Sequence, residues 1–87
     1  MSDYKGQPSG SIKIESFRDT AHVVAIYRKY VKEHNVRTVI IYKGQECRGT
    51  SYVTLQALIG KTVTIYLKTE ELVNSFIKEY EERREIA

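Results

Sequence analysis

Thr62-Val63-Thr64-Ile65-Tyr66-Leu67-Lys68 runs directly into Thr69-Glu70-Glu71-Leu72-Val73, and this junction carries the plainest structural signal in the chain. Val63, Ile65 and Leu67 alternate with Thr62, Thr64, Tyr66 and Lys68, the period of two expected of a strand with one buried face. Thr69 is a good helix N-cap, and Glu70 and Glu71 in the first turn complement the helix dipole. Leu72, Val73, Phe76, Ile77 and Tyr80 then follow at helical spacing, which predicts an amphipathic helix. Arg83 and Arg84 near its end suit the negative pole.

Upstream of this unit, Gln56 to Lys61 reads as a connection containing Gly60. Glu46 to Leu55 reads as a strand with Gly49 as a bulge, and Val36 to Lys43 as a β-branched strand with apolar residues on both faces. Gly44-Gln45 marks the turn between them. Before these strands, Ser16 and Asp19 form a capping-box pattern, and residues 17–34 repeat apolar residues at helical spacing up to the stop signal His34-Asn35. Ile12 and Ile14 alternate with Lys13 and Glu15, so they form either a short extra strand or a lead into the helix. Residues 1–10 are polar, contain Gly6, Pro8 and Gly10, and read as a flexible tail. The expected architecture is one α+β domain over 11–87. It is a two-layer sandwich in the order α-β-β-β-α, with two helices on one face of a three-stranded antiparallel sheet.

The chain has 87 residues, 41% hydrophobic and 29% charged, which fits one small globular domain. The longest apolar runs, such as Val39-Ile40-Ile41, fall far short of the roughly 18 residues of a membrane span. No signal peptide is read at the N-terminus, and the single cysteine forms no internal disulfide, so a cytoplasmic protein is expected. The net charge of +3 is unevenly spread. Residues 18–68 carry nine basic residues against Asp19, Glu33 and Glu46, a net of +6, whereas residues 69–87 carry −3. A basic body with an acidic terminal helix attracts polyanions on one surface.

Little here points to catalysis. Cys47 reads as a small hydrophobe in a strand, and His22 and His34 are twelve residues apart on the first helix with no second ligand pair. Gly44, Gly49 and Gly60 match no phosphate loop. No enzyme, metal or cofactor is expected.

The outward sheet face is the informative surface. Arg48, Thr50, Tyr52 and Thr54 share one face of their strand, and Thr62, Thr64, Tyr66 and Lys68 share one face of the last strand. The first strand adds either Thr38 and Tyr42 or Arg37 and Lys43. Hydroxyls and cations bind phosphate oxygens, and Tyr stacks on unpaired bases. Thr and Tyr are equally at home on any exposed strand through cross-strand pairing. The candidate nucleic-acid contacts are Arg48, Tyr52, Tyr66 and Lys68, with Arg28, Lys29, Lys32, Arg37 and Lys43 as phosphate neutralisers. The apolar stripe of the last helix is read as core, with a homodimer seam or a protein-binding helix as the alternative.

The element order resembles that of the Alu-domain subunits of the signal recognition particle and of a similar small ribosomal protein. The stretch runs from about Phe17 to Glu82 and includes Phe17 and Ala21, Val36-Arg37-Thr38-Val39, and Tyr66-Leu67-Lys68-Thr69-Glu70. That resemblance implies a sheet lying on folded RNA, within a ribonucleoprotein. A shorter stretch, Gly49-Thr50-Ser51-Tyr52-Val53-Thr54-Leu55 with Gly60-Lys61-Thr62-Val63, is similar to the hairpin region of AbrB-like DNA-binding proteins, which implies a dimeric DNA binder. RNA is favoured over DNA, and a protein-interaction module without nucleic acid is the remaining alternative.

Overall fold

The computed structural model describes residues 6–47 and 55–86. Its elements are β1 (Ser9–Ile14), α1 (Phe17–His34), β2 (Val39–Tyr42), β3 (Gln45–Glu46), β4 (Lys61–Tyr66) and α2 (Glu70–Glu85). The fold is α+β, as the residue patterns predict, but the antiparallel sheet has four strands in the order β1-β4-β2-β3 rather than three. The added strand is β1, which settles the open reading of Ile12 and Ile14. It also takes in Ser9 and Gly10, two residues of the polar stretch expected as a tail. The strand expected over Glu46–Leu55 is corrected at both described ends. Among the described residues the paired ones there are Gln45–Glu46, and Leu55 is helical and fully buried. Residues 48–54, including the bulge expected at Gly49, lie outside the described residues.

Local chemistry sets the helix ends. The Ser16 hydroxyl accepts from the Asp19 N–H, and the Asp19 carboxylate accepts from the N–H groups of Glu15 and Ser16, at 2.8 and 3.2 Å. Both donors would otherwise be orphaned where the chain turns from β1 into α1. α1 ends where Asn35 takes a left-handed conformation (φ 52°) and its N–H returns to the Tyr30 carbonyl. The Thr69 hydroxyl caps α2 by accepting from the Leu72 N–H at 3.2 Å. Lys43 and Gly44, both at positive φ, form the two-residue turn of the β2–β3 hairpin.

Both helices pack on one face of the sheet. Ile12 and Ile14 of β1, Ile40 of β2, and Val63 and Ile65 of β4 meet Val23, Val24, Ile26 and Tyr30 of α1 and Val73, Phe76 and Tyr80 of α2. The Tyr30 and Phe76 rings meet edge to face at 5.6 Å, joining the helices at the centre of the core. No helix among the described residues is long and apolar enough to cross a membrane.

α2 lies directly over β1. A Cβ added to Gly10 would stand 2.4 Å from Ile77 Cδ1 and 3.0 Å from Val73 Cγ1. Gly10→Val is therefore expected to cost about 1–3 kcal/mol through overpacking, read by urea denaturation. Gly10→Ala is expected to cost less, because the Ile77 terminus can rotate aside. Equal and negligible losses for both would show that the helix does not sit this close.

Candidate nucleic-acid interface

The strand register fixes which residues share the face away from the helices. Ser9 lies opposite Tyr66, and Tyr66 opposite Val39, in one row across three strands. The next row is Ser11, Thr64, Ile41 and Glu46, and the third is Lys13 with Thr62. Neighbouring strands stand about 4.8 Å apart and alternate residues about 6.8 Å along a strand, so the hydroxyls form a close grid. Outer positions on β1, β2 and β4 carry five hydroxyls and one cation, with no carboxylate. Glu46, on β3, is drawn toward Arg37 at 3.8 Å.

Exposure grades across this surface. Ser9, Ser11, Lys13 and Thr62 are exposed, Thr64, Tyr66 and Val39 are half-buried, and Ile41 is only 8% exposed. The accessible part is thus the side built by β1 and the start of β4. The contribution of β2 follows from the same parity. Thr38 is buried and Tyr42 packs against the core, so Arg37 belongs to the outer side.

The predicted site residues separate into groups. Tyr66 lies on the outer face, half-buried, and Lys68 is exposed just beyond β4. Arg28 and Lys32 are exposed on α1 and form no ion pair with another described residue. Lys29 stands apart from them, because its ammonium is 2.5 Å from a Glu79 oxygen across the helix seam. The hydrogen bond to Glu79 and its charge raise the Lys29 pKa, so the lysine stays charged and engaged. Lys43 sits in the hairpin turn with Nζ 5.5 Å from the centre of the Tyr42 ring, within cation–π range. Arg48 and Tyr52 lie outside the described residues. Ser9, Ser11 and Lys13 belong to this surface yet were not among the predicted contacts. The alternation of Lys13 between Ile12 and Ile14 was their available signal.

A polar clasp holds β1 in place. The Tyr80 hydroxyl donates to the Lys13 carbonyl at 2.5 Å. Arg84 pairs with Glu15, lies 3.4 Å from Asp19 Oδ1, and stacks at 5.5 Å over the Tyr80 ring. Burial raises the Tyr80 pKa, which keeps the phenol a donor. Cys47 is half-buried against the core, and burial, with help from Glu46, raises its thiol pKa. A thiol held neutral is a poor nucleophile.

His22 sits on the α1–α2 seam, in a shallow depression lined also by Glu79, Glu82, Arg83 and Ile86. Its Nε2 is buried without a partner among the described residues. Burial lowers its pKa below 6.5, helped by Arg83, Arg18 and Arg84, while Asp19 opposes them. Between the lowered value and 6.5 the unfolded chain binds more protons, so this contribution to stability is lost as pH falls through that window. Urea midpoints of the wild type are expected to drop from pH 7.5 to 5 more than those of His22→Gln. Parallel curves would remove His22 as the cause.

Compared with protein-family models, with curated proteins and with solved structures, the chain matches none.

Proposed function

We propose that the protein binds nucleic acid without catalysis, RNA in preference to DNA, through the outer face of its sheet. One observation supports this most: outer positions on β1, β2 and β4 carry hydroxyls and a lysine but no carboxylate, while the acidic residues of the C-terminal segment lie on α2. Lys13 and Lys68 neutralise phosphates, and Ser9, Ser11, Thr62 and Thr64 donate to phosphate and sugar oxygens. Tyr66, half-buried, lies in the same outer face beside them. Arg28 and Lys32 on α1 extend the positive potential around the molecule.

The accessible part of the sheet, at β1 and the start of β4, suits RNA, whose unpaired bases splay onto exposed surfaces, whereas duplex DNA is read mainly by a helix or ribbon entering the major groove. The reading in which α2 offers its apolar stripe to a partner is less well supported, since Phe76 and Tyr80 are fully buried within the domain.

Fluorescence anisotropy tests the proposal with labelled structured RNA, single-stranded oligonucleotides and duplex DNA at two salt concentrations. The expected result is salt-sensitive binding, tightest for RNA. Equal weak binding to all three, or none at low salt, would end it.

A further inference from the structure

β1 is an edge strand, and the bonds around it show which of its backbone groups point outward. The Leu67 N–H donates to the Pro8 carbonyl at 3.2 Å, and the Cys47 N–H donates to the Ile40 carbonyl at 2.8 Å. Antiparallel ladders alternate, so residues 10, 12 and 14 bond inward to β4, while Ser9, Ser11 and Lys13 aim their N–H and C=O groups away from the sheet. Among the described residues β1 pairs with β4 alone. The Lys13 carbonyl is already taken by the Tyr80 hydroxyl. Ser9 and Ser11 are left with both groups facing outward, on a stretch of small residues, Ser9-Gly10-Ser11.

A second copy of this chain does not fit that edge. α2 lies over β1, as its contacts with Gly10 and the Lys13 carbonyl show. Pairing two β1 strands about 4.8 Å apart would bring two α2 helices to about 5 Å, whereas packed helices need about 8–10 Å. The occupant must be a bare strand. Its surroundings also select charge. Helical spacing places Glu70, Asn74, Lys78, Glu81 and Glu85 on the side of α2 turned away from α1, all exposed, three acidic against one basic.

We infer that the β1 edge docks an extended peptide segment of a protein partner by main-chain pairing at Ser9 and Ser11, with basic side chains on the segment's α2-facing side. This site uses the main-chain groups of Ser9 and Ser11, whose side chains belong to the outer sheet face, and it does not depend on the nucleic-acid reading.

The test uses the full chain and a seven-residue peptide of alternating valine and lysine with blocked ends. Amide hydrogen exchange of Ser9 and Ser11 is expected to be fast alone and at least tenfold slower with saturating peptide. An equally charged peptide, N-methylated at alternate residues on its pairing edge, is expected to give no protection. Ser11→Pro removes an outward N–H without touching the ladder to β4, and is expected to keep the circular dichroism spectrum while abolishing protection at Ser9. The inference is overturned if the peptide protects neither amide at millimolar concentration, or if the N-methylated peptide protects them equally.

Discussion

Phe76→Ala is expected to remove about 3–5 kcal/mol of stability, the usual loss for an aromatic ring cut from a closed core. Phe76 is fully buried, one turn before Tyr80, and its ring meets Tyr30 of α1 edge to face. No solvent-facing side exists from which the cavity could refill. Domains of this size hold roughly 5–15 kcal/mol in total, so the loss is a large share. The melting temperature should fall by at least about 12 °C, since each kcal/mol moves a small domain by roughly 4–8 °C. A loss below about 1 kcal/mol would mean that the ring is not in the core, and would return α2 to consideration as a partner-binding helix.

The double reversal Lys13→Glu with Lys68→Glu is expected to leave stability nearly unchanged and to weaken RNA binding by about 25- to 60-fold at 0.1 M salt. Each phosphate contact contributes a salt slope of about 0.7–0.9, which from 1 M to 0.1 M is roughly five- to eightfold per contact. Two lost contacts give the stated range, before any repulsion from the new carboxylates. The slope itself should fall by about 1.4–1.8. Both side chains are exposed and neither forms an ion pair with another described residue, so the fold should tolerate the change. Lys78→Glu, on the exposed side of α2, serves as the control and should leave affinity within about twofold. A loss from Lys78→Glu half as large, on the logarithmic scale, as that from the double reversal would point to net charge alone.

Much of the architecture was legible because its signals are local. The alternation from Thr62 to Lys68, the Thr69 cap, the Ser16–Asp19 box and the Asn35 stop each involve residues within one or two turns. What escaped reading depends on distant pairing. Ser9-Gly10-Ser11 has little strand propensity of its own, and it becomes a strand because β4, more than fifty residues later, supplies the ladder. β2 is apolar on both faces, so a period of two could not tell which side of Val39-Ile40-Ile41-Tyr42 meets the helices. The run ending at Leu55 is rich in β-branched and aromatic residues, yet Leu55 enters the core from a helical turn, where burial overrides propensity.

The candidate site was legible to the same degree. Tyr66 and Lys68 were placed by a strong strand. Ser9, Ser11 and Lys13 were hidden with β1. Lys29 looked equivalent to Arg28 and Lys32 on a helical wheel, and only the seam with α2 shows its pairing with Glu79.

The most direct measurement is a titration of isotope-labelled protein with the RNA that binds tightest, followed by amide chemical shifts. Shifts concentrated at Ser11, Lys13, Thr62, Thr64 and Tyr66, and reversed by salt, are the predicted result. Shifts confined to α1 around Arg28 and Lys32, with the outer sheet face unmoved, would contradict it.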